Sequence, residues 1–599
     1  VLYFHLIIRL SKYLQNLAFH DFPNPQSQIP LSFATKTLAM SANQKISWLI
    51  ALVAGVTFMP FLGGISLFDW DEVNFAECAR EMIELGDYLR VHIDYLPFWE
   101  KPPFFIWLQA IAMHLFGIGE YAARFPNAVC GVVTLVLLFQ VGARLNGTRF
   151  GLLWAGAYFG SILPHLYFRS GIIDPWFNLF IFLGFYFFVL FYWRKDGIKG
   201  ITLQRGAWYY LIVGGLWLSV AILTKGPAAL LIVGLCLGVY WVLERFRWYA
   251  HIGHFAAYAL ISSAAMLIWY GIETLKNGPW LAIEFTKYQY RLFSTPDAGH
   301  AGFPGYHFVV LLLGCFPASV FAIRAMTMPR PTGEKTAQSD FKRWMTILFW
   351  VVLILFTIVK SKIVHYSSMC YFPLTYLAAV AVEQILQGNI AFNKWMRGGL
   401  LAIGSLWALA LIVVPSLAQN AAALKPLLAA DPFAQANLDA VVRWYGWEGI
   451  TGIIFLAGTV WGIRQLSNPT QAQSGVVALF GTTALMVTMV MYLYLPKIIQ
   501  YTQGAPVAFF SQLEGKDCYV YTYGYRSYAH WFYAKTKPDT RPKTEDGQAW
   551  QDYLFKGALD KDVYISCKIF SRAELDSIPT LRFLYEQNGF VFYKRQKSE

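Results

Sequence analysis

Apolar runs of 16 to 23 residues follow one another between residues 46 and 496, with short polar breaks between them. A helix needs about 20 apolar residues to cross a bilayer. Thirteen stretches read as spans: 46–68, 125–144, 151–168, 175–193, 207–224, 227–243, 252–272, 305–323, 344–359, 366–387, 398–418, 447–463 and 475–496. One more apolar stretch, 103–119, is ambiguous, and parity decides it. If it does not cross and the N-terminus is inside, the loops 144–150, 194–206, 244–250, 324–343, 388–397 and 464–474 all face the cytoplasm. Together they hold 16 Lys and Arg. If it crosses, all six move outside, against the positive-inside rule. The stretch 103–119 is therefore expected to lie in the outer interface, after Pro102-Pro103.

This assignment puts the long, charged segment 69–124 outside, together with 168–174, 273–304, 360–365 and everything after 496. The tail 497–599 alternates in short strand-like runs at 517–523, 562–567 and 589–594. Helical patterns fit 526–535 and 579–587, and 536–551 reads as loop. The fold class expected is an all-α polytopic membrane protein of about 13 spans, with a small C-terminal α/β domain. The domains expected are an N-terminal extension 1–45, a transmembrane catalytic domain 46–496 and an extracytoplasmic domain 497–599. The extension carries Pro23, Pro25 and Pro30 and reads as disordered, and Met40 reads as the natural start.

Composition agrees with a membrane protein. Apolar residues make up 57% and charged residues 14%, against about 25% charged in ordinary soluble domains. The net charge of +13 reads as cytoplasmic loop anchoring, not as a nucleic-acid surface. Of the seven cysteines, only Cys518 and Cys567 fall in the polar tail, where an oxidising compartment would let them pair. The eleven histidines form no ligand-spaced cluster, so the sequence specifies no metal site and leaves a divalent metal open. His251-Ile252-Gly253-His254 spells a tRNA-synthetase signature, but without a nucleotide-binding βαβ context it reads as chance.

Candidate chemistry lies at the outer ends of the spans, where charge is costly unless solvated or used. Asp69, Asp71 and Glu72 place three carboxylates in four residues, and one could serve as a general base. The plain alternative is helix capping. Lys101 follows Glu100 in a turn stiffened by Pro102 and Pro103, where a fixed ammonium suits a phosphate. Asp174 precedes Pro175 and could likewise be a cap. Arg291 in the loop 273–304, and Lys362 and Tyr366 in Lys360-Ser361-Lys362-Ile363-Val364-His365-Tyr366, could bind a phosphate or anchor in the interface. Lys225-Gly226-Pro227 reads as a structural outer turn.

These segments together resemble the GT-C superfamily of membrane glycosyltransferases, and within it the group holding protein O-mannosyltransferases and the aminoarabinose transferases that modify lipid A. The carrying residues are Asp71-Glu72, Ala76-Glu77, Ala79-Arg80-Glu81-Met82, Gly86-Asp87, Glu100-Lys101-Pro102-Pro103, Ala123-Arg124-Phe125-Pro126, Asp174 and Ser361-Lys362 with Tyr366. The resemblance implies a polyprenyl-phosphate sugar as donor and an inverting transfer on the outer face. It implies Asp71 as base with Glu72 beside it, Asp174 as a second carboxylate, and Lys101, Arg291, Tyr366 and Lys362 around the lipid phosphate. The expected acceptor is a hydroxyl of a lipid, glycan or protein. No further cofactor and no nucleic-acid partner are expected, and the chain is expected to act as a monomer in a bacterial inner membrane. The competing reading is a flippase or transporter of polyprenyl-linked sugars, which would gather charge near the bilayer midplane at discontinuous helices.

Overall fold

A computed structural model describes residues 40–294, 302–329, 334–544 and 546–598. Most of the expected extension 1–45 lies outside the described residues. Its last part is not disordered: Ser41 opens α1 (Ala42–Phe58) with a capping box to Gln44.

Each expected span falls on helix, though not all are single full-length helices. Among the described residues nine helices are long and apolar enough to cross a membrane. They include α4 (Glu120–Asn146), α7 (Asp174–Asp196), α8 (Ala207–Lys225), α10 (Ile252–Asn277), α14 (Ala337–Ile358), Val364–Leu386, α16 (Lys394–Gln419) and α18 (Ala472–Leu493). The ninth is Trp447–Leu466, which contains α17 (Ile450–Leu466). The other four expected spans are shorter or broken. They are α1, of 17 residues; α9 (Ala228–Leu243), of 16; α5 (Thr148–Phe159) followed by α6 (Ile162–Tyr167); and α12 (Tyr306–Gly314) followed by α13 (Ala318–Met326). The last pair bends by 116°, at Pro317, whose ring and missing N–H stop a continuous helix. Apolar composition alone does not register such breaks, so the pattern reads each pair as one run.

α7 is the central pillar: 89% of its apolar window is buried inside the protein. A helix that is apolar all round needs neighbours on every side, and α7 has them.

Contacts sort the loops onto two faces. On one face Thr148 bonds Asn43 (2.9 Å) and Arg144 reaches the Thr202 carbonyl (2.8 Å). There also Ala337 N–H bonds the Lys199 carbonyl (2.8 Å), Lys335 pairs with Glu244 (3.0 Å) and Arg149 pairs with Glu383. Four of the six basic loops thus meet on this face. On the opposite face lie the starts of α4 and α7 and the ends of α8 and α10. The stretch expected in the interface forms α3 (Phe104–Phe116), of 13 residues. Its N-terminal side carries Lys101, and its last residue Phe116 packs on Tyr121 in the first turn of α4 (5.3 Å). Both ends of α3 therefore lie on the same face.

Beyond α18 the chain forms α19 (Leu495–Thr502), α20 (Gly504–Ser511) and a four-stranded sheet. The strands are β3 (Cys518–Tyr523), β4 (Asp562–Lys568), β5 (Arg582–Gln587) and β6 (Phe590–Arg595), in spatial order β3-β4-β6-β5. Only β3 and β4 run parallel, joined through α21 (Ala529–Ala534) and α22 (Gly547–Lys556). The helix expected at 579–587 is instead strand β5. Asn588-Gly589, both with positive φ (51° and 79°), closes a tight hairpin to β6. α22 likewise replaces part of the expected loop 536–551. Cys518 and Cys567 sit at opposite ends of the parallel pair, Cys518 beside Asp562 and Cys567 beside Tyr523. That offset of five residues is about 16 Å, too far for a disulfide, and both are free and buried.

One side of the sheet shares an apolar core with the segment after α1: Val520, Phe532, Phe590 and Phe592 join Leu67, Val73, Phe75 and Phe105. The other side packs on Trp550, Leu554 and Phe555 of α22. The sheet is thereby seated directly on α2 (Asp71–Leu85), the helix that carries the candidate base.

Candidate active site

Six elements deliver charged or hydroxyl side chains to one place on this second face. Asp71 is the first residue of α2 and Asp174 the first of α7, and neither caps its helix through a side-chain hydrogen bond. Both carboxylates turn instead to His365, in the 3-10 turn Val364–Cys370. The His365 Nε2 lies 3.6 Å from Asp71 Oδ2 and 3.8 Å from Asp174 Oδ2. Lys225, the last residue of α8, donates to Asp174 Oδ1 at 2.6 Å. Its ammonium also lies 5.5 Å from the centre of the Tyr366 ring, within reach of a cation–π contact. A lysine at a helix C-terminus is favoured by the helix dipole. Gly226 (φ 115°) then turns the chain where another residue would be strained and would crowd Phe285.

The cationic side of the site is built around Tyr288, on α11 (Trp280–Ser294). Lys101 donates to the Tyr288 hydroxyl at 3.1 Å and lies over its ring. Arg291, one turn on, places its guanidinium 5.3 Å from the same ring centre. Burial pulls the Lys101 pKa down, but Tyr288, Glu100 and Asp71 outweigh it and hold it above the ordinary lysine value. The ammonium is thus kept charged beside an acid. The site has an acidic half, Asp71 and Asp174 about His365, and a basic half, Lys101 and Arg291 about Tyr288.

Two expected site residues lie elsewhere in this geometry. Glu72 is buried and fully engaged. Its carboxylate takes a forked pair from Arg124 (2.7 and 3.1 Å) and the backbone N–H groups of Phe68 (2.8 Å) and Gly171. Arg124 in turn donates to the carbonyls of Leu62, Ile65 and Ser66 (2.8, 2.8 and 2.9 Å). This clamp joins the end of the first span, the start of α2 and the loop leading to Asp174. It links the segments on which both site carboxylates stand. Lys362 donates to the carbonyls of Phe356 (2.9 Å), Thr357 (2.7 Å) and Val359. It closes the C-terminal turn of α14 and has no donor left to direct at a phosphate.

Sequence reasoning passed over three residues. Lys225, expected in a structural turn, is the direct partner of Asp174. His365 has no role in the sequence reading, and Tyr288 does not figure in it. The signal for Lys225 was available, since it ends a span on the face where Asp174 begins one.

The lid of this region is the sheet. Asp69 accepts a bond from Tyr528 N–H (3.2 Å), and the Trp70 and Tyr528 rings meet edge-on at 6.0 Å. Burial pushes the Asp69 carboxyl above the usual range, with Ser527 and Tyr528 working against the shift. Deeper in, Arg80 pairs with Glu77 (2.6 Å) and donates to the Thr536 carbonyl (2.8 Å), tying α2 to the C-terminal part. Among the described residues no group of three His, Cys, Asp or Glu is arranged to hold a metal ion.

The site thus places paired carboxylates at span ends on one face of a helical bundle, next to fixed cations and under a small α/β cap. In sequence and in fold the chain is similar to membrane glycosyltransferases. The family model described as dolichyl-phosphate-mannose-protein mannosyltransferase matches residues 100–269. The undecaprenyl phosphate-α-4-amino-4-deoxy-L-arabinose arabinosyl transferase of Photorhabdus laumondii is 26% identical over 402 residues, covering 65% of this chain and 69% of that protein. The enzyme of the same description from Pectobacterium carotovorum is 26% identical over 443 residues, 70% of this chain and 72% of the relative. The crystal structure of ArnT from Cupriavidus metallidurans bound to undecaprenyl phosphate superposes with a TM-score of 0.68 at 19% identity, over 92% of this chain and 98% of that one.

Proposed function

We propose that this chain moves one sugar from a polyprenyl-phosphate donor to an acceptor hydroxyl, with inversion at the anomeric carbon. The observation that carries the reading is the division of the site. Asp71 and Asp174 converge on His365, while Lys101, Tyr288 and Arg291 form an adjoining cluster suited to a phosphate monoester. Asp71 is the more exposed of the two carboxylates and takes the proton of the acceptor hydroxyl. The acceptor oxygen then bonds the anomeric carbon as the bond from that carbon to the phosphate oxygen breaks. The electron pair leaves with the polyprenyl phosphate, whose growing charge Lys101 and Arg291 meet with fixed donors, where preorganised electrostatics lower a barrier most. Tyr366 lines the same wall. Asp174, held by Lys225, orients His365 and the acceptor.

The named relatives support undecaprenyl phosphate as the lipid and an amino sugar such as 4-amino-4-deoxy-L-arabinose as the cargo, with a lipid A-like glycolipid as acceptor. The face that gathers the basic loops is assigned to the cytoplasm by the positive-inside rule. The site and the domain 497–599 then face outward across a bacterial inner membrane, and the N-terminus lies inside. Of the features that would mark a transporter, the broken helices are present, but the titratable cluster lies at helix ends on one face and not at those breaks, which favours the enzyme.

The test is transfer by the full chain in detergent, with radiolabelled undecaprenyl-phosphate sugars and with lipid A, glycan and peptide acceptors offered in turn. Acceptor-dependent release of undecaprenyl phosphate is expected from the wild type and is lost in Asp71→Asn, while donor binding survives. Turnover by Asp71→Asn equal to wild type would refute the base assignment.

A further inference from the structure

A cavity lies between the C-terminal part and the hairpin at Asp94, lined by none of the residues about His365 or Tyr288. Its volume is about 250 Å³, a little under the roughly 300–1,000 Å³ typical of drug-sized ligand sites. That is room for one sugar-sized ring. Aromatic rings form its walls, among them Tyr525, Tyr528, Trp531 and Trp550. Such faces pack on the C–H surface of a sugar and leave its hydroxyls for polar neighbours.

Three polar groups in this wall lack protein partners. His530 is 3% exposed, and its Nδ1 finds no hydrogen-bond partner among the described residues. Arg526 lines the cavity and makes no ion pair among the described residues. Asp94 lines it too, and its carboxylate accepts no hydrogen bond among the described residues. Asp94 is held there by its hairpin. β1 (His92–Ile93) and β2 (Leu96–Pro97) are joined by Asp94-Tyr95, both with positive φ (53° and 59°), an unusual conformation for such residues. The tip is fixed because Tyr95 N–H bonds Glu81 (2.8 Å) and the Tyr95 hydroxyl bonds the Thr536 carbonyl. Burial and the nearby Glu77 carboxylate push the Asp94 carboxyl well above its usual range. Arg526 is the one Lys or Arg side chain among the described residues that line the cavity. The wall also adjoins the active site, since Tyr528 contacts Trp70, the residue before Asp71.

We propose that this cavity binds a sugar ring carrying an anionic substituent, a unit of the acceptor, and so holds the acceptor over Asp71. The proposal rests on the glycosyltransferase reading. Tyr528, Trp531 and Trp550 face the ring, Asp94 and His530 meet its hydroxyls, and Arg526 takes the phosphate or carboxylate.

Binding is measured apart from turnover, by saturation-transfer NMR on the full-length Asp71→Asn chain in nanodiscs. The probes are glucose 1-phosphate, galactose 1-phosphate, glucosamine 1-phosphate, free glucose and inorganic phosphate. At least one sugar phosphate is expected to bind more tightly than either free glucose or phosphate. Arg526→Ala weakens it about tenfold, the worth of one charge-assisted hydrogen bond, and more than Lys101→Ala does, and Asp94→Ala weakens it too. In turnover by the wild type with lipid A as acceptor, that sugar phosphate competes with the acceptor and not with the donor. Binding of inorganic phosphate alone, loss of binding in Lys101→Ala but not in Arg526→Ala, or competition with the donor would each overturn the proposal. Absence of turnover with every acceptor would count against the enzyme reading, while the NMR result would still decide the cavity.

Discussion

Glu72 and Asp71 are adjacent carboxylates, and the structure gives them opposite expected phenotypes. Glu72→Gln keeps the volume and one acceptor oxygen but removes the charge that answers Arg124. The guanidinium then stays buried, about 1% exposed, with only backbone carbonyls around it. Breaking a buried ion pair by removing one partner costs about 3–5 kcal/mol. Because the amide still accepts one bond, the cost expected here is about 3 kcal/mol. Phe68 N–H and Gly171 N–H compete for what remains, so the loop before Asp174 loosens as well. Unfolding of the detergent-solubilised chain, followed by denaturant titration with near-UV circular dichroism, should place Glu72→Gln well below wild type and Asp71→Asn level with it. Turnover should fall in both, but donor binding should weaken only in Glu72→Gln. A Glu72→Gln chain as stable as wild type, yet inactive, would refute the clamp and return Glu72 to the chemistry itself.

Further expectations follow from the same geometry. Lys225→Met leaves the nearly buried Asp174 (5% exposed side chain) without its cation. Turnover should drop about 10²–10³-fold, as when one preorganised electrostatic donor is removed, with little change in donor binding measured by radiolabelled lipid. His365→Asn should lower turnover while Lys362→Gln lowers stability instead, because Lys362 closes a helix end; parallel rate and melting measurements separate the two. Arg80→Ala should free the C-terminal part from α2 and make it the first site of limited proteolysis. Burial pushes His530 down to about 3, whereas an unfolded imidazole titrates near 6.5. Between those values the unfolded chain binds the extra proton, so this contribution is complete above pH about 6.5 and is lost as pH falls toward 3, by up to about 1.4 kcal/mol per unit. His530→Gln should flatten that part of the stability–pH curve relative to wild type, and an unchanged slope would show that His530 is not its source.

A helical membrane protein, the course of most of its spans and the common face of four basic loops were legible in the amino-acid sequence. Those properties follow from apolar length and from Lys and Arg placement, which act locally and need no partner. It also pointed to Asp71, Lys101, Asp174, Arg291 and Tyr366, because charge at the end of a span is costly and therefore conspicuous. What each of those charges meets depends on how distant segments come together. Glu72 and Lys362 carry the same signal as Asp71 and Lys101, yet their partners are Arg124 and the carbonyls that end α14, set by chain segments far away in sequence or by the path of a turn. Lys225 and His365 became site residues because α8 and the turn at 364–370 close against the start of α7. Likewise β5 is a strand because β6 pairs with it. Propensity and hydropathy are properties of a segment, whereas an ion pair, a broken span or a ladder of strands is a property of two segments brought together.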